Sequence, residues 1–189
     1  MTEWIDKGAM AWLGEAPYDE ETVLVFYQGI GTAEIREGLI ARHRTPFAYG
    51  GDVPPGGWGV VVHPMCDPAH GGFGDIDYRG LCPPGAQLMI FVPEPCAAKA
   101  HGPQAFHYRD GEAVTCIDYE DPEGSGEYWP NEMAPLIAAS GIDLEDEGYE
   151  RRLTRLICDH LGLTEPDPAA CTVDRDALAA YHNREPGPA

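Results

Sequence analysis

Between Asp110 and Glu150 the chain has no lysine and no arginine, yet thirteen carboxylates fall in that interval. Lysine is scarce throughout, with two residues against ten arginines, and the 189-residue chain carries a formal net charge of −20. That charge repels nucleic-acid backbones and anionic lipid, and no basic stripe offsets it, so direct nucleic-acid or membrane binding is not expected. Serine occurs only at positions 125 and 140, neither within a Gly-x-Ser-x-Gly turn, which removes the serine-hydrolase class. No apolar run is long enough to span a bilayer. The opening Met1-Thr2-Glu3-Trp4-Ile5-Asp6 lacks the basic and apolar regions of an export signal. The six cysteines form no CxxC pair, so reduced, structural thiols in a cytoplasmic protein are the expectation.

What is present suits a globular domain: 43% apolar and 10% aromatic residues in a chain long enough to bury a core. Trp4, Ile5, Ala9, Trp12 and Leu13 recur at helical spacing. Val23 to Tyr27 reads as a buried strand. Thr32 can cap a following helix whose Ile35, Leu39 and Ile40 share one face. The Pro54-Pro55-Gly56-Gly57 turn leads into Trp58-Gly59-Val60-Val61-Val62, a β-branched run expected in the middle of a sheet. A Gly- and Pro-rich loop runs from His63 to Pro84, and Leu88 to Val92 is a third strand. Asp110-Gly111 predicts a type I′ hairpin. A two-residue loop there pairs Arg109 with Glu112 and Phe106 with Thr115. Phe106, Tyr108, Ile117 and Tyr119 then share one face, while His107 and Asp118 share the other.

Three helices follow. Asn131 can cap the first, which turns Met133, Leu136 and Ile137 inward and ends at Gly141; the second carries Leu153, Leu156, Ile157 and Leu161 on one stripe before Gly162, and Asp174 or Thr172 can start the third. The expectation is a mixed α+β fold, a largely antiparallel sheet with helices packed on it. It occupies a single domain over residues 1–183, with a flexible tail at 184–189.

The order of the Val23–Tyr27 strand, the Gly57-Trp58-Gly59-Val60-Val61-Val62 strand, the Phe106-His107-Tyr108-Arg109-Asp110-Gly111 hairpin and the Leu-rich closing helix resembles an uncharacterised actinobacterial domain family of small cytosolic proteins. The resemblance spans about residues 20 to 165. It implies the fold and a cytoplasmic address, but no activity, cofactor or site residue.

Three groups of residues have chemistry to offer. Asp118, Glu120, Asp121, Glu123 and Glu127 run into Tyr128-Trp129-Pro130. Carboxylates beside exposed aromatics suit a basic protein partner, because the aromatics supply burial and the charges supply on-rate. The plainer alternative is a solvated acidic loop with Trp129 tucked into the core. His63, Cys66, His70 and Cys82 offer two imidazoles and two thiols, the donor set of a tetrahedral zinc site, although their spacing matches no standard finger. Their plainer role is turn and packing residues. Cys66 or Cys116 can also pair with His107 as a thiol nucleophile. Gly29-Ile30-Gly31 precedes a helix as in a dinucleotide fingerprint, but Glu34 stands where the third glycine belongs and opposes a pyrophosphate. The leading expectation is a non-enzymatic acidic domain that binds a basic partner, as an immunity protein, antitoxin or inhibitor does. The alternative is a small zinc enzyme or structural metalloprotein built on the His63–Cys82 loop. DNA mimicry, with carboxylates standing for phosphates, is a third.

Overall fold

The computed structural model describes residues 4, 9–14, 22–51, 53–66, 76–93, 103–122, 129–164 and 167–183. Its centre is strand β1 (Thr22–Gln28), flanked by β3 (Gly59–Pro64) and β4 (Gln87–Val92). Short β2 (Ala48–Tyr49) precedes β3, and β5 (Gln104–Arg109), β6 (Glu112–Asp118) and the two-residue β7 (Thr172–Val173) complete the sheet. The order is β6-β5-β4-β1-β3-β2-β7, with every pairing antiparallel. This is the α+β architecture expected from the sequence. Central β1 and β3 read as unbroken apolar runs because both of their faces are covered.

One face of the sheet is sealed by helices. Leu24, Phe26, Val62, Met89, Phe91 and Ile117 point into a cluster closed by four helices. These are α1 (Ala9–Trp12), α3 (Ala134–Ser140), α4 (Tyr149–Leu161) and α5 (Arg175–His182). Helix α4 buries Leu153, Thr154, Ile157 and Cys158, the i, i+1, i+4, i+5 stripe of an amphipathic helix. It stops at Gly162, whose φ of +64° suits glycine, and the Leu163 amide donates back to the Cys158 carbonyl at 2.8 Å. At α5, Asp174 is the cap: its carboxylate accepts from the Ala177 amide at 2.9 Å.

Among the described residues, the other face is covered only in part. Helix α2 (Thr32–Ile40) lays Ile35 and Leu39 on Val25, Tyr27 and Val61, and a 3₁₀ turn, Tyr78–Leu81, adds Tyr78 and Leu81. Ile40, expected on the same apolar face, is instead 47% exposed at the last turn of α2. Thr32 is not the cap of α2. Gly31 holds that position, and the Thr32 hydroxyl bonds the Tyr27 hydroxyl at 2.7 Å.

The Asp110-Gly111 hairpin forms with φ of +55° and +81° at its two turn residues, the type I′ signature. Asp110 also ties the turn inward, since its carboxylate accepts from the Gly85 amide at 2.6 Å. The register departs from expectation. Arg109 pairs with Glu112 and Tyr108 with Ala113, but His107 pairs with Thr115 and Phe106 with Cys116. The extra residue, Val114, is a bulge, and beyond it every side chain of β6 changes face. Phe106, Tyr108 and Cys116 therefore share the partly covered face, while His107, Ile117 and Tyr119 lie on the sealed one.

Candidate functional site

Alternation along the strands puts His63, Val23, Val92 and Gln104 in one row across β3, β1, β4 and β5, with Ile90 and Phe106 in the next row on the same face. These rows form the floor of a cleft of about 790 Å³. Ile76, Asp77, Tyr78 and Arg79 make one wall, and Trp129 and Pro130 make the other. The second wall exists because residues 130–132 run along the outer edge of β6. The Cys116 amide donates to the Pro130 carbonyl at 2.9 Å and the Glu132 amide to the Val114 carbonyl at 3.1 Å. The segment blunts an edge strand and holds Trp129 beside the sheet face. Trp129 is 55% exposed, so of its two readings the structure takes the exposed one.

His63 anchors one end of the floor. It belongs to β3 rather than to the loop after it, and it is fully buried. Its Nδ1 lies 2.8 Å from the Pro64 carbonyl, which can only accept, so Nδ1 carries the proton. Nε2 therefore accepts from the Tyr78 hydroxyl at 2.9 Å. Burial drives the His63 pKa down to about 4, and the nearby Arg44 charge pushes the same way. The cleft floor thus carries a neutral imidazole with a fixed tautomer. At the mouth, Arg79 Nε binds the Asp77 carboxylate at 2.9 Å, and Glu112 lies within reach of the same guanidinium's field.

The residues expected to hold zinc have separate engagements. Both His63 nitrogens are hydrogen-bonded, and the buried Cys82 thiol donates to the Ala86 carbonyl at 3.4 Å. Burial pushes that thiol's pKa up. The Cys66 sulfur sits 3.8 Å from the Tyr181 hydroxyl. His70 lies outside the described residues. Among the described residues, no three His, Cys, Asp or Glu side chains are grouped to hold a metal ion.

The Cys116–His107 pairing fails on geometry, because the Val114 bulge puts the two side chains on opposite faces of the sheet. Burial and the Asp118 charge raise the Cys116 thiol to about 11, so it stays protonated. His107, held near 4 chiefly by burial, instead joins a polar chain on the sealed face. Its Nε2 lies 3.1 Å from Gln87 Oε1, Gln87 Nε2 donates to Gln28 Oε1 at 3.2 Å, and Gln28 Nε2 donates to the Gly56 carbonyl at 2.6 Å.

Of the acidic set, Asp118 is the last residue of β6, where its carboxylate accepts from the Glu120 amide at 3.0 Å; Glu120 and Asp121 are exposed beyond it. Glu123 and Glu127 lie outside the described residues. The fold adds one carboxylate that sequence proximity did not suggest, Glu150 in the first turn of α4. Burial pushes the Tyr149 phenol above its ordinary range, and the charges of Glu150, Glu120 and Asp118 push it the same way. The cleft itself was not anticipated. Its sequence signal was the pair of aromatics at 106 and 108 on one face, but the unbulged register set Ile117 and Tyr119 beside them where the fold sets Ala113 and Cys116. Among the described residues no helix is long and apolar enough to cross a membrane. No protein-family model, curated protein or solved structure matches this chain, so the resemblance read from its motifs brings no residue role to the site, and the chemistry rests on the geometry alone.

Proposed function

We propose that this protein is a non-catalytic binding domain that engages a basic protein partner through the acidic end of β6 and the exposed indole of Trp129. The observation that carries this reading is the placement of Trp129. A large aromatic side chain, 55% exposed, stands against the edge strand whose end holds Asp118, Glu120 and Asp121. Aromatic anchors bordered by charge are the usual composition of a protein interface. The carboxylates of β6 and α4 add their fields at Tyr149, which supports a focused negative potential over an even spread. Glu123 and Glu127 belong to the same proposed surface by sequence. The mode of action is that of an inhibitor, antitoxin or immunity protein: occlusion of a basic surface.

The test is the association kinetics of a basic partner retained by the immobilised protein, measured over a salt series. The on-rate should fall as salt rises, because exposed charges act over a Debye length of about 8 Å at physiological ionic strength. Changing Asp118, Glu120, Asp121 and Glu123 to their amides should slow association, and Trp129→Ala should speed dissociation. An on-rate indifferent to both salt and the amide substitutions would end this reading.

A further inference from the structure

The partner-binding surface shares only the Trp129 wall with the cleft beside it, which has the size and lining of a small-molecule site. A volume of about 790 Å³ falls within the range of ligand pockets, and an apolar floor with a few placed polar groups is their usual composition. We propose that the cleft binds an uncharged, planar aromatic ligand, lying on Phe106 and Val92, above the buried Ile90, between the Tyr78 and Trp129 walls. This goes beyond the partner-binding reading and does not rest on it.

Charge decides the ligand's class. Among the described lining residues the one guanidinium, Arg79, is bound by Asp77 at 2.9 Å and lies in the field of Glu112, so an anion meets two carboxylates and a paired cation. The chain's net charge of −20 works against an anion as well. A cation is welcome only at the mouth. Deeper in, the lining is Val23, Ile90, Val92 and Phe106, with a histidine that burial keeps neutral, so a charge there loses its water without compensation. The neutral polar residues of the described lining include Gln104 and Tyr108. Shape decides the rest. The Tyr78 and Tyr108 rings lie 6.0 Å apart at 42°, and with Phe106 and Trp129 they offer several faces and edges for stacking.

The experiment uses two probes that share one ring system. N-phenyl-1-naphthylamine is neutral, and 1-anilinonaphthalene-8-sulfonate is the same skeleton with a negative charge. Fluorescence titration of the full chain should show the neutral probe saturating a single site, and the sulfonate binding at least tenfold more weakly. Ala113→Phe fills the cleft from a half-buried position and should weaken the neutral probe at least tenfold. Trp129→Ala should weaken it roughly fivefold through loss of stacking. Intermolecular NOEs from the neutral probe to the Ile90 and Val92 methyls of the unmodified protein locate the site even if Ala113→Phe fails to fold. Absence of saturable binding, equal affinity for the two probes, or NOEs confined to other residues would each overturn the proposal.

Discussion

On the sealed face, Phe91 lies 5.0 Å from Trp4 and meets Phe26 edge-on at 5.8 Å, with helices closing over all three. On the other face, Phe106 and Tyr108 lie in the neighbouring strand and stay half-buried, although Tyr78 of the 3₁₀ turn packs 6.0 Å from the Tyr108 ring. The sheet residues on the two faces are about equally apolar; what differs is the number of helical residues supplied to cover them. Among the described residues, much of the chain after β6 (α4 and α5 especially) goes to the sealed face, so the other face has a smaller buried core and leaves Phe106, Tyr108 and Val92 half-buried at its edge. Under the cleft proposal, that half-buried edge is what a ligand would cover.

The sharpest way to break this comparison is to truncate matching aromatics. Phe91→Ala should destabilise the fold by about 3–5 kcal/mol in urea unfolding, because it opens a cavity among fully buried neighbours. Phe106→Ala should cost about 2 kcal/mol or less, since its ring already borders open space. Equal losses would mean that the cleft is as tightly packed in solution as the helical core.

Among the described residues each face buries one histidine, His107 on the sealed side and His63 on the open one, and each has a folded-state pKa of about 4. In the unfolded chain the value is about 6.5. Between those two values the unfolded chain holds more protons. The stability is therefore complete above about pH 6.5 and is lost as the pH falls toward 4. The loss should reach about 2 kcal/mol per histidine at pH 5, above the range in which most carboxylates titrate. Urea unfolding at pH 7.5 and pH 5 measures the sum, and His63→Gln and His107→Gln separate the faces by flattening the dependence. If solvent reaches His63 from the cleft, its resonance will titrate in the native protein near pH 6, and the open face will prove wetter than its fully buried floor indicates.

A smaller effect tests where α2 closes the open face. A Cβ at Gly59 would overlap the Tyr27 ring, whose hydroxyl is bonded to Thr32 at the start of α2. Gly59→Ala should cost about 2 kcal/mol, in the range of overpacked cores. It should also loosen α2, seen as faster amide exchange at Ile35 and Leu39. No change would mean that α2 is held by other contacts.

Much of this architecture was legible in local pattern. Val23–Tyr27, Val60–Val62 and Leu88–Val92 announce strands because β-branched and large apolar residues run between glycine and proline turns. Asp110-Gly111 announces its hairpin because its φ angles require those residue types. The face assignment beyond the turn was not legible. A one-residue bulge at Val114 leaves no mark on composition, yet it moves Cys116 and Asp118 to the open face and Ile117 and Tyr119 to the sealed one. His63 misled for a related reason. Followed by Pro64 and a glycine-rich stretch it reads as loop, but its pairing with Val23 buries it, and the Tyr78 hydroxyl that makes burial tolerable comes from a residue fifteen positions away. The cleft depends on the same bulge, so a candidate site read from linear spacing could not include it.

The smallest predicted energy concerns the wall that separates the two proposed surfaces. Arg109 Nη2 lies 2.8 and 2.9 Å from the two oxygens of Glu132, linking the hairpin to the segment that carries Trp129. The two side chains are 43% and 55% exposed, and one nitrogen serves both oxygens where a fork would use two. A double-mutant cycle with Arg109→Gln and Glu132→Gln should therefore give a coupling of about 0.5 kcal/mol, typical of solvated pairs. Its consequence should be positional. Without the ion pair, residues 130–132 keep two backbone bonds to β6, so the fold stands while the indole of Trp129 gains freedom. In the charge-neutral double variant, binding of the neutral naphthylamine probe should weaken by a few-fold with thermal stability unchanged. A coupling above about 2 kcal/mol would mean that the pair is shielded from water. The Trp129 wall would then be part of a closed core, and the contrast between a sealed and an open face would fail at the residue on which both binding proposals depend.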